Sequence, residues 1–248
     1  MMPGPASARR ILSARGRSRL VYLGWMPRPN HPAHEPAERR PRLRGVSHQW
    51  AFAVSIVAGA VLVASAPSGR AAAVGALYAA ALAGMFGASA LYHRVSWRPS
   101  VRPWMRRLDH SMIFVFIAGT YTPVTVLSLD GVLPVVVLAI VWGGALAGVA
   151  LKLVWITAPK GLVASVYVLL GWVGLALLPE VLRSAGVLPA LLFVAGGVLY
   201  TAGAVVYVRR RPDPRPAVFG FHEIFHAFVI AAALAHFIAI AVFVVPQG

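Results

Sequence analysis

Residues 222–245 read HEIFHAFVIAAALAHFIAIAVFVV. The run opens on His222-Glu223-Ile224-Phe225-His226 and stays apolar to Val245, interrupted only by His236. About 20 such residues, wound as a helix, cross the hydrocarbon core of a bilayer. His222 and His226 are four apart, so they share one helix face and can reach one metal ion. By itself the pentapeptide reads as the HExxH string of a zinc protease, with Glu223 as general base. Its place in an apolar span points to a different chemistry. A soluble zinc protease needs a cleft around this helix, and at a membrane interface Glu223 can instead face headgroups or Arg-rich loops.

Six further segments of the same kind precede it, over residues 46–66, 71–92, 111–129, 132–152, 161–181 and 187–208. The seventh covers 223–245. Their connections are short, and residues 66–70 (Ala-Pro-Ser-Gly-Arg) and Asp130-Gly131 are tight-turn sequences. Of the 248 residues, 59% are hydrophobic and only 12% charged, against roughly 45–50% apolar in soluble domains. Backbone in lipid must satisfy its own hydrogen bonds. The expected fold is therefore an all-α, integral membrane bundle of seven transmembrane helices. Gly143, Gly144, Gly148, Gly171, Gly174, Gly196, Gly197 and Gly203 suit close helix packing in it.

In a soluble protein a net charge of +16 would suggest nucleic acid. Here the basic residues lie in loops, and no nucleic-acid partner is expected; headgroup contact is a second role for them. All but Arg70 and Arg183 of the 23 Lys and Arg fall on one side of a seven-span topology. The positive-inside rule then puts the N-terminus in the cytoplasm and the C-terminus outside. Residues 1–44 carry ten of the arginines and many prolines with no apolar period. That composition predicts a disordered cytoplasmic tail, with Met26 as an alternative start, and residues 45–248 as the membrane domain. The absence of cysteine removes disulfides and thiolate ligands and leaves histidine as the default zinc ligand.

Polar residues inside apolar spans default to function. Ser89 and His93 end the second segment, Asp109 and His110 precede the third, and His222 and His226 open the seventh. The topology brings all of them to the cytoplasmic end. Three neutral imidazoles, His93, His222 and His226, with a fourth position open make a catalytic-type zinc site. Such an ion lowers the pKa of its water towards about 7. Asp109 suits the surrounding shell, where it would hydrogen-bond that water or an imidazole, although a carboxylate there could also simply cap the third helix. Ser89, one turn before His93, could hydrogen-bond within the site or serve only as a small packing residue. His110 points about 100° away from Asp109 on a helix and is left out. His48 is at the right depth for an outer role. His236, near mid-membrane, is expected to hydrogen-bond another helix, and His31 and His34 to be solvated in the tail.

These residues resemble the hemolysin III family, the bacterial branch of the progestin and adiponectin receptor group. The resemblance runs over almost the whole chain after about Arg42. It is carried by Arg44-Gly45-Val46-Ser47-His48, Ser89-Ala90-Leu91-Tyr92-His93, Leu108-Asp109-His110-Ser111, Ala118-Gly119-Thr120-Tyr121-Thr122-Pro123 and the HEIFH pentapeptide. It implies zinc on His93, His222 and His226, with Asp109 at the zinc-bound water and Ser89 beside it. It also implies a multi-pass protein of the bacterial plasma membrane acting in lipid homeostasis or sensing. Alkaline ceramidases look similar in the same motifs. That makes a zinc-dependent hydrolase of lipid amides or esters the alternative, with Asp109 and Ser89 catalytic. A pore-forming cytolysin is the third reading. No soluble domain or export signal is in view to deliver seven apolar helices from solution, which weighs against it.

Overall fold

A computed structural model describes residues 41–248. Met26, His31, His34 and most of the expected tail lie outside the described residues. Its last four residues are structured: Arg42 and Leu43 donate backbone hydrogen bonds to Ala217 O (3.1 Å) and Val218 O (3.2 Å).

Seven helical spans follow, each long and apolar enough to cross a membrane. They are α1 (Val46–Ala64), α2 (Gly69–Arg94), α3 (Arg102–Ser128) and α4 (Leu133–Val154). The fifth span is α5 (Lys160–Trp172), a 3₁₀ stretch (Val173–Leu177) and α6 (Leu178–Ser184). After it come α7 (Val187–Arg209) and α8 (Phe221–Ile238), and α8 runs on through a π-helical turn at Ala239–Val244. The described residues form no strands beyond one isolated bridge between Arg215 and Phe219. Both expected turns are present. Ser68 accepts from Ala71 N–H (3.1 Å) to start α2, and Gly131 takes the left-handed φ of +69° that closes the turn into α4.

Two spans differ from the sequence expectation. α3 begins at Arg102, nine residues before the apolar run, because a basic stretch can stay helical while its charges reach out of the bilayer. Asp109 therefore sits inside the helix rather than at its start, and capping is not its role. The fifth span is not one α-helix. Its 3₁₀ stretch frees carbonyls, and the Tyr121 hydroxyl donates towards two of them, Gly171 O (2.5 Å) and Leu170 O (3.2 Å).

The core lies where α2, α3, α4 and α8 meet, with Tyr78, Phe114, Val141 and Ile240 fully enclosed. The outward faces of α1 and α4 expose Val54, Val57, Val61, Val135 and Leu146, as lipid-facing surfaces do. Of the eight glycines expected to allow close packing, Gly148 is a clear case, since a Cβ there would strike the Phe114 ring of α3. Gly143 and Gly171 face open space and have no packing role.

Candidate metal centre

The alternating direction of the spans brings the end of α2 and the starts of α1 and α8 to one end of the bundle, where the long α3 contributes Asp109. His93, His222 and His226 meet there, each offering a ring nitrogen within 4.8 Å of the others. His93 Nε2 and His222 Nε2 are 3.2 Å apart. Ligands about 2.0–2.1 Å from a tetrahedral zinc are about 3.3 Å from one another, so this pair already has the required separation. His226 is 2% exposed, and its Nδ1 is buried without a partner. Unpaired nitrogens in such a place are costly unless something accepts their lone pairs. A neutral, nitrogen-only donor set of this kind suits zinc.

The surrounding residues fix this cluster. Asp109 Oδ2 is 3.8 Å from His93 Nε2. Ser89 Oγ is 2.8 Å from His48 Nδ1 and is also within hydrogen-bonding reach of the Asp109 carboxylate. The His48 ring lies flat on that of His226, with centroids 3.7 Å apart and planes 8° apart. His48 thus holds Ser89 with one nitrogen and sets the ring plane of His226 with its face.

Two placements go beyond the sequence reading. His110, set aside because of its 100° offset, turns its ring back so that Nε2 is 3.9 Å from Asp109 Oδ2. Glu223 neither faces headgroups nor reaches the histidines. It is 3% exposed; Oε1 accepts from Arg44 Nε (2.5 Å) and Oε2 from Gly220 N–H (2.8 Å). Glu223 therefore caps α8 and neutralises Arg44 with its two oxygens.

A cavity of about 230 Å³ opens from the cluster into the bundle. Ser89, Asp109, His222 and His226 line its polar end, and Leu177, Val181 and Val229 line its apolar walls. At the far end His236 donates to Phe193 O (3.1 Å), the helix–helix bond expected of it. Its ring occupies the place that a Cβ on Gly196 would fill.

The family model described as Haemolysin-III related matches residues 37–237. The chain belongs to this family. A curated relative, the Hemolysin-3 homolog of Bacillus subtilis (strain 168), is 32% identical over 157 residues, covering 63% of this chain and 70% of that protein. Hemolysin-3 of Bacillus cereus is 29% identical over 206 residues, covering 82% and 91%. The match to the haemolysin-III model takes in the residues of the polar cluster, from Arg44 to His226. What sequence reading missed in this haemolysin-III chain are cavity-lining cations, Arg106, Lys152 and Lys160. By sequence they count only towards orientation, although a lysine in the last turn of an apolar span is itself a signal.

Proposed function

We propose that this chain is a zinc-binding protein of the bacterial plasma membrane that senses or adjusts membrane lipids, with its metal site near the cytoplasmic face. The observation that carries this reading is the opening of a three-histidine, one-carboxylate cluster directly into an apolar cavity inside the bundle. Such a site meets lipids, not soluble substrates. The lopsided Lys and Arg distribution supports a cytoplasmic N-terminus and an external C-terminus.

The position of Asp109 favours a second reading, a hydrolase of lipid amides or esters. When bound, zinc supplies Lewis acidity that acidifies water and polarises a carbonyl. Asp109 Oδ2, beside His93, would take the proton from the attacking water and hand it to the leaving amine or alcohol. The Ser89 hydroxyl, donating to Asp109, keeps that carboxylate turned to the cluster. His48 Nδ1, 2.8 Å from Ser89 Oγ, would donate to that oxygen in the tautomer protonated there. The apolar walls hold acyl chains and keep bulk water out.

The test is an untargeted lipid comparison of cells lacking the protein, cells with wild type, and cells with His222→Ala at matched protein levels. Wild type is expected to shift the acyl-lipid profile, and His222→Ala to give the profile of cells without the protein. Identical shifts with wild type and His222→Ala would overturn the reading.

A further inference from the structure

Three cations meet at the mouth of the cavity. Arg106 comes from α3, Lys152 from the last turn of α4 and Lys160 from the first residue of α5, and all three line the cavity wall. They surround His110 closely enough to act on it electrostatically, and Arg106 acts on Lys152 as a like charge. Lys160 is steadied over the Tyr207 ring, 5.2 Å from its centroid.

Lys152 is the informative member. A lysine that only orients a span reaches into the aqueous interface, yet Lys152 is 2% exposed. Among the described residues no carboxylate forms an ion pair with it. Glu223 is committed to Arg44 and Gly220, and Asp109 belongs to the histidine cluster. An ammonium that lines the cavity without a carboxylate partner, beside two more cations, is costly. An anion would remove that cost, and a guanidinium with two ammoniums matches a multiply charged phosphate better than a single carboxylate.

We infer that Arg106, Lys152 and Lys160 form a receptor for the phosphate monoester headgroup of a lipid whose acyl chain lies in the apolar cavity. This rests on the reading of the cavity as a lipid site, and it needs no metal. A free phosphate ion would offer the same chemistry without the chain.

The experiment measures binding to purified full-length protein in neutral detergent, with probes of equal chain length: lysophosphatidic acid, lysophosphatidylcholine and monoacylglycerol. Inorganic phosphate forms a fourth arm. Wild type should bind lysophosphatidic acid about tenfold or more tighter than the other two lipids, the size expected for one or two charge-assisted hydrogen bonds. Added salt should shrink that preference. Lys152→Met, which keeps the volume and removes the charge, should reduce it to within about threefold, and Arg106→Gln should weaken it in the same direction. Zinc content measured on each variant shows whether the histidine cluster is intact. No preference in wild type, or a preference untouched in both variants, would overturn the proposal. Inorganic phosphate protecting as well as lysophosphatidic acid would overturn its lipid part. Wild type without zinc but with the preference would sink the metal reading and leave this one standing.

Discussion

Asp109→Asn is expected to keep the metal and lose the function. The substitution preserves the shape of the side chain and one acceptor oxygen, so the packing beside His93 and Ser89 should survive. It removes the group that can take a proton at the cluster. Loss of a positioned general base lowers a rate by about 10²–10⁴-fold. With acyl-amide or acyl-ester lipids as substrates, turnover by purified protein should fall by at least about 100-fold, with zinc content and melting temperature near wild type. Turnover within a few-fold of wild type would remove Asp109 from the chemistry. If wild type turns over no such lipid but still shifts the cellular lipid profile, the sensing reading holds and the hydrolase reading fails.

Glu223→Ala is expected to act on stability, and this separates the site from a zinc protease. Both carboxylate oxygens are engaged, one by Arg44 and one by the Gly220 N–H that opens α8. Breaking a buried pair costs about 3–5 kcal/mol, but Arg44 is 22% exposed and water can partly replace its partner. The expected loss is about 2–3 kcal/mol including the cap. Glu223→Gln, which can still accept from Gly220 N–H, should lose less. Thermal unfolding in detergent with zinc analysis on both variants checks this. Unchanged stability with abolished turnover would instead restore Glu223 as a base.

The bundle was legible because its physics is one-dimensional. Bilayer thickness fixes the length of an apolar run, and the turn residues at 66–70 and Asp130-Gly131 separate the runs. Hydropathy could not locate the start of α3, since Arg102, Arg106 and Arg107 are helical without being apolar. Nor could it foresee the 3₁₀ break after Trp172, which depends on a hydroxyl from Tyr121 on another helix. In the site, His222 and His226 pair by helical period, and His93 joins them by depth. The exact offset of a side chain was not legible. The 100° rule put His110 away from Asp109, yet a long imidazole swings back across that angle. The partner of Glu223 is hidden for a different reason: Arg44 is 179 positions away, at the end of the Arg-rich stretch.

The metal itself is tested most directly by elemental analysis of the protein purified without added zinc, beside His93→Ala, His222→Ala and His226→Ala. Wild type is expected to carry about one zinc per chain, and each single variant, left with two ligands, to fall by roughly tenfold or more. A wild type free of zinc, or variants with the wild-type stoichiometry, would contradict the assignment of His93, His222 and His226 as its ligands.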